Sequence, residues 1–302
     1  MPAPSDTARF VRQQLRDAVF RLADWAANSE GSSRSSALIR IGLAALFWAR
    51  LANEMILYKD QSAVGLLLSL NFFIATTALM IGFHSRTAAL WAGIVGFVVY
   101  YFGQDLGRPP WVHHHTYLLS VAITLLALTP CGKSYSLDRY LAVVRAERNG
   151  EPPPAESGNL LGLRLIVVQM SVLYFFSAFD KTSAAFLSGA RLEHIFLYYY
   201  SGSDYPSLPG FRGLAIVTAI AVVVLEYALA FGMPFARSRR YLVLPGLAFH
   251  AIIYCTLPVY TFSATMVVLY LAYFDPGTVH RLIDRLNGQS EAGPRRSDAG
   301  GV

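Results

Sequence analysis

Eleven ionisable side chains of this 302-residue chain fall in apolar surroundings: Arg40, Arg50, Glu54, His113, His114, His115, Arg164, Asp180, Lys181, Glu226 and His250. Such groups are unfavourable away from water unless they are paired, hydrogen-bonded or used, so each is a candidate for chemistry. Lys181 and the histidines are best suited to moving protons. An amine held away from water is more readily found in its neutral, basic form, and imidazole changes charge near neutral pH. Three consecutive histidines invite a metal reading. Consecutive helix residues are turned about 100° apart, however, and metal-binding helical pairs prefer i,i+4 spacing. On that geometry no metal is expected at His113, His114 and His115. A loose cap at a helix start accounts for two of the rings, and a site completed by other helices is the alternative. Arg50 and Glu54, four apart, suit a structural ion pair. Arg40 and Arg164 lie near the ends of apolar runs and are expected to snorkel. Glu226 stands midway along such a run, where structure and site explain it equally well.

The elements that hold these groups are set by composition. The chain is 54% hydrophobic and 15% charged, with a mean hydropathy of +0.41. A soluble domain would carry about 25% charged residues. Charge gathers between long apolar runs at about 37–57, 62–83, 87–104, 112–130, 160–180, 213–235, 241–258 and 259–276. A bilayer-spanning helix needs roughly 20 mostly apolar residues, so the expectation is an all-α integral membrane bundle of about eight transmembrane helices. Seven is the alternative, because the third and seventh runs are short and the last two meet at Leu257-Pro258. With the N-terminus in the cytoplasm, seventeen Lys and Arg residues fall on the inner side. Only Lys59, Arg108, Lys181, Arg191 and Arg212 fall on the outer side. That bias places both termini in the cytoplasm, in a plasma or inner membrane. The net charge of +6 is therefore orientation charge, and no nucleic-acid partner is expected; the partner is the lipid bilayer.

Three regions follow. Residues 1–34 carry an interfacial amphipathic helix from about Asp6 to Trp25, with Phe10, Leu15, Val19, Leu22 and Trp25 at helical spacing opposite arginines. Residues 35–285 form the transmembrane domain, closed by a second interfacial helix. Residues 286–302 read as a disordered cytoplasmic tail. Within the domain, Ser136-Leu137-Asp138-Arg139 resembles a helix start, and Glu151-Pro-Pro-Pro-Ala-Glu156 reads as a flexible connector. Residues 181–212, ending an aromatic stretch at Leu197-Tyr198-Tyr199-Tyr200, read as an outer re-entrant or interfacial segment. Cys131 and Cys255 fall at opposite depths and are expected to stay unpaired. Lys181 and Asp180 end the fifth run, His113–His115 begin the fourth, and Glu54 lies near the end of the first. All share one outer-facing layer, with His250 midway along the seventh.

Several of these residues sit in segments that resemble the HTTM domain, the membrane module shared by vitamin K-dependent γ-glutamyl carboxylase and many bacterial proteins. Leu173-Tyr174-Phe175-Phe176-Ser177-Ala178-Phe179-Asp180-Lys181, followed by Phe186-Leu187-Ser188-Gly189, resembles the family's core motif, with Phe186 in place of a tryptophan. His115-Thr116-Tyr117-Leu118 with Ser136-Leu137-Asp138, and Phe249-His250 running to Tyr273-Phe274-Asp275-Pro276, resemble two further segments in the same order. The resemblance covers roughly residues 35–285. It implies that Lys181 is the base that deprotonates a reduced naphthoquinone (vitamin K or menaquinol), with Asp180 favouring its charged form. It further implies that O2 and CO2 are co-substrates and that His115 and His250 support proton transfer. The substrate would be a peptide or small molecule, and the enzyme a lyase. The sporulation-delaying protein B family shares the domain, which implies a second role in maturation or export of a secreted peptide without carboxylase activity. A transporter or structural membrane protein is a third expectation, but few mid-membrane polar groups supply a path.

Overall fold

In lipid a chain satisfies its backbone N–H and C=O groups within helices or closed barrels, and these apolar runs take the helical route. The computed structural model describes residues 4–56, 62–103, 113–200 and 210–288. Lys59, Arg108, Arg295, Arg296 and the expected tail beyond Gly288 lie outside the described residues. The elements run α1 (Pro4–Ala27), β1 (Glu30–Ser32), α2 (Arg34–Ile56), α3 (Ala63–Ile81), α4 (Ser85–Phe102), α5 (His114–Leu126) and α6 (Leu137–Asn149). They continue with β2 (Ser157–Asn159), α7 (Leu161–Lys181), α8 (Ala184–Leu187), α9 (Ala190–Tyr199), α10 (Phe211–Gly232), α11 (Ala236–Thr256), α12 (Tyr260–Leu269) and α13 (Pro276–Leu286). A 3-10 turn, Tyr270–Tyr273, tightens the end of α12.

Five of these helices, α2, α3, α4, α7 and α10, are long and apolar enough to cross a membrane. The other three apolar runs are helical too, with differences that have local causes. The run expected over 112–130 is helical only over the 13 residues of α5, because Pro130 and Gly132 turn the chain beyond it. α11 has 21 residues, but its first turn carries Arg237, Arg239 and Arg240 and its interior holds Pro245. α12 stops after 10 residues, and Asp275-Pro276 then starts α13 with the Asp275 carboxylate capping Thr278 N–H at 2.7 Å. The outward faces are apolar: Leu66, Leu67, Leu70 and Ile74 on α3 and Leu214, Val217, Val224 and Phe231 on α10 are exposed. A belt of that kind suits lipid as solvent. Phe10, Leu15 and Val19 of α1, and Leu282 and Leu286 of α13, are exposed as well.

Packing between helices relies on small residues and polar bridges, as expected where lipid is no worse a solvent than leucine. Gly93 and Gly96 of α4 face Thr124 and Ser120 of α5 so closely that a Cβ at either would collide. Trp48 donates to Thr76 at 2.7 Å, joining α2 to α3, and Trp91 donates to Asn71 at 3.1 Å, joining α4 to α3. Arg50 and Glu54 form the expected ion pair, at 3.5 Å.

One end of the bundle is a dense polar girdle, and it overturns the expectation for Arg40. This side chain does not snorkel; it is fully buried. Its guanidinium donates to the carbonyls of Leu79 (2.5 Å), Met80 (2.8 Å), Cys131 (3.2 Å) and Tyr135 (2.6 Å). Two of those carbonyls end α3, where helix C-termini leave acceptors unfilled and carry partial negative charge. Gly82, in the left-handed region at φ 72°, must be glycine, because a Cβ would strike the Arg40 guanidinium and Ser136. Nearby, Ser136 caps α6 by accepting from Arg139 N–H at 2.9 Å, the start the sequence suggested. Asp138 caps α4, accepting from His84 and Ser85 N–H, both at 2.8 Å, and from the Ser85 hydroxyl at 2.7 Å.

The all-helical expectation has one exception here. β1 and β2 form a two-stranded antiparallel ribbon with Glu30 opposite Asn159 and Ser32 opposite Ser157. The proline-rich connector is not loose at its end either. Glu156 accepts from Arg34 Nε at 2.9 Å and from Ser134 at 3.0 Å, and lies 3.6 Å from Arg139. Arg34 also meets Asp284 of α13 at 2.5 Å. Burial pushes the Glu156 carboxyl up, but the Arg34 and Ser134 hydrogen bonds and the charges of Arg34 and Arg139 outweigh it. The group titrates below its ordinary range. Cys131 is buried in the girdle and Cys255 is exposed; both are unpaired thiols.

Candidate functional site

At the other end of the bundle the packing opens. α7 carries Tyr174, Ser177 and Lys181 at spacings of three and four, which puts them on one helix face. α10 packs on that face and brings Glu226. α11 brings His250, and the turn after α12 brings Tyr270.

Lys181 Nζ donates to both Glu226 carboxylate oxygens at 3.0 Å, to the Ser177 hydroxyl, and to the Ser177 carbonyl at 3.3 Å. Ser177 in turn donates to Glu226 Oε1 at 2.9 Å. The Glu226 side chain is 5% exposed and the Lys181 side chain 25%. The sequence neighbour Asp180 is not the partner it was expected to be. It is 73% exposed, points away and meets Arg191 at 3.6 Å, because consecutive helix residues face different directions. Glu226 therefore belongs to the site.

A second polar group lies deeper. The Tyr174 hydroxyl is 2.6 Å from His250 Nε2 and 3.0 Å from the Tyr270 hydroxyl, a chain whose direction is set by the His250 tautomer. All three residues are buried. Gly246, one turn before His250, is what admits the Tyr270 hydroxyl, since a Cβ there would collide with it. His250 Nδ1 has no hydrogen-bond partner among the described residues, and neither has His115 Nε2.

The histidine run starts with the cap the sequence suggested, and the cap changes the geometry of the rings. His113 is not helical; it caps α5 with extended backbone (φ −130°, ψ 139°), its ring facing His115 N–H. Its ring therefore folds back over the helix start. The three ring centroids lie 4.1–4.2 Å apart, and their candidate ligand atoms all lie within 4.8 Å of one another. The objection that one helix cannot present three consecutive rings together does not hold here. His115 is buried and stacked on Phe262, centroid to centroid 5.4 Å.

Lys181, Glu226, Tyr174, His250, His114 and His115 all line one cavity of about 1020 Å³, whose remaining wall is mostly apolar and includes Phe176, Leu225 and Phe249. Glu54, expected in the same layer, does not line it. A smaller apolar groove of about 360 Å³ between α9 and α10 shares Leu192, Phe196 and Thr218 with the cavity. Tyr174 and Ser177 lie within the Leu173–Lys181 motif, which by itself gives them no role. Their i−7 and i−4 spacing from Lys181 is the signal that marks them. Nothing local marks Tyr270. Chemically, the Lys181–Ser177–Glu226 unit can hold and pass a proton at the wall of a space suited to an apolar molecule.

Helices with an apolar outer belt, wrapped around such a cavity, define an integral α-helical membrane protein. A family model, the HTTM domain, matches residues 54–277, and the chain belongs to the HTTM family. No curated protein and no solved structure gives a match.

Proposed function

We propose that this HTTM-family membrane protein is a quinol-dependent enzyme resembling the membrane module of vitamin K-dependent γ-carboxylase, with Lys181 as the initiating base. The observation that carries this reading is the Lys181–Glu226 pair at the wall of a large, mostly apolar cavity. A quinol hydroxyl would give its proton to the Lys181 amine, with Glu226 and Ser177 holding that amine in register at the cavity wall. His250, relayed through Tyr174, and His115 are the supporting proton-transfer groups. The groove beside α9 extends the apolar wall and suits a lipid-borne tail. When bound, a reduced naphthoquinone with O2 would supply a base strong enough to take a carbon-bound proton from a peptide or small-molecule substrate, to which CO2 would add.

The positive charges favour eight crossings, with the arginine-rich girdle and both termini in the cytoplasm and the cavity end outside. α1 and α13 then lie in the inner headgroup layer, their exposed apolar side chains in lipid.

The test supplies purified protein in nanodiscs with a reduced naphthoquinone, O2 and bicarbonate, and follows quinone epoxide by mass spectrometry. Epoxide that disappears in Lys181→Ala is the expected result. Epoxide no higher than in Lys181→Ala would overturn the enzyme reading and favour a partner in maturation of a secreted peptide.

A further inference from the structure

We propose that His113, His114 and His115 bind one divalent transition-metal ion of the zinc class at the rim of the cavity. The proposal shares only His115 with the quinol reading and is read by a different signal, metal binding itself, so that either can fail without the other.

Three features carry it. The first is convergence: the extended backbone at His113 brings a ring that precedes α5 together with the first two rings of the helix, their ligand atoms within 4.8 Å of one another. Imidazole nitrogens around zinc at 2.0–2.1 Å sit about 3.3 Å apart, so side-chain rotations of little more than an ångström close the set. The His113 ring is held by a 3.5 Å contact from His115 N–H, a weak bond that is readily exchanged for metal ligation.

The second is His115. The residue is 7% exposed, held by stacking on Phe262, and its Nε2 has no hydrogen-bond partner among the described residues. A buried acceptor or donor of that kind is unfavourable unless something completes it. A metal ion at the ring cluster would do so.

The third is the donor set itself. Three neutral imidazoles with no thiolate and no carboxylate suit zinc, copper or nickel and do not suit calcium or magnesium, which take oxygen ligands. Three protein ligands would also leave a fourth position for a water or small ligand, and His114 and His115 both line the cavity from which one could come. The positive charge of Arg50 is felt at His113 and His115, and Arg50 is itself paired with Glu54.

The experiment uses tag-free full-length protein in nanodiscs, stripped with a chelator and titrated with Zn²⁺ against a chromogenic competitor. One Zn²⁺ per chain is expected, undisturbed by excess Mg²⁺ or Ca²⁺. Affinity should fall at least about tenfold in His114→Gln and in His115→Gln. His194→Gln, an exposed histidine elsewhere, should bind like the parent. The cobalt-substituted protein should show a nitrogen-ligand absorption band that the first two variants lose. His114 is exposed and His115 buried, so the His114 variant is expected to fold even if that of His115 does not. Absence of stoichiometric binding, or equal binding by His114→Gln, would overturn the proposal. So would a loss in His194→Gln as large as that in His114→Gln.

Discussion

Arg40 and Lys181 are both cations inside an apolar bundle, yet their surroundings are opposite. Arg40 is sealed from solvent, and its fork of donors meets four backbone carbonyls from two segments, the end of α3 and the loop between α5 and α6. Lys181 meets one carboxylate and one serine, keeps part of its side chain accessible, and faces a cavity. Arginine suits the first setting because its planar guanidinium stays charged and presents fixed donors. Lysine suits the second because its amine can exchange a proton. The difference separates a charge used as a fastener from a charge left available. Each makes four hydrogen bonds; what distinguishes them is the kind of partner and the access to a cavity.

The sharpest way to break that comparison is Arg40→Met. It takes the side-chain donors from four carbonyls, at about 1–3 kcal/mol for each buried one left without a partner. A loss on the order of 4 kcal/mol or more is expected, read as a collapse of the thermal midpoint in detergent or as failure to recover monodisperse protein. Arg40→Lys should recover only part, since an ammonium has three donors and no fork. Next in size is Lys181→Met. Loss of quinol chemistry by about 100-fold or more is expected, with stability lowered by only about 1–2 kcal/mol, because Glu226 can take up a proton once its partner is gone. Adding Glu226→Gln should restore the midpoint and leave the activity absent. If Lys181→Met unfolded the protein as thoroughly as Arg40→Met, both cations would be fasteners and the contrast would fall.

The smallest effect belongs to Glu156. Its carboxyl titrates below the ordinary value of 4.5, so its contribution is present at neutral pH and disappears as pH falls through its lowered folded value. Glu156→Gln should lower stability by about 1 kcal/mol at pH 7. The gap to the parent should close as acid is added, measured by midpoints across a pH series. A gap that stayed constant into acid would mean that Glu156 acts through shape and not through charge.

What the sequence made legible was mostly what lipid demands. Long apolar runs, their order and the Ser136 helix start are local, and each reappears as a helix or a cap. Lys181 was legible through its motif. Its true partner was not, since Glu226 lies 45 residues away and only the packing of α7 on α10 joins them. Arg40 was misread because depth in an apolar run suggests a route to water. It says nothing of carbonyls arriving from Leu79, Met80, Cys131 and Tyr135. At the histidine run the helix-start cap was legible and is formed by His113, whereas the convergence of the three rings was not, because a turn of about 100° per residue applies only where all three are helical.

The girdle also has an order in time. A ribosome releases Arg40 early, and its carbonyl partners follow as residues 79, 80, 131 and 135, before α7 has been made. Arg34 waits longer, for Glu156 and then for Asp284, with β2 closing on β1 in between. The first helices can therefore be fastened while the cavity-forming helices α7, α10 and α11 are still being synthesised, and the last latch closes only when nearly the whole chain has emerged. A nascent chain halted after α6 would hold its arginine knot and have no pocket, so assembly runs from anchor to workplace.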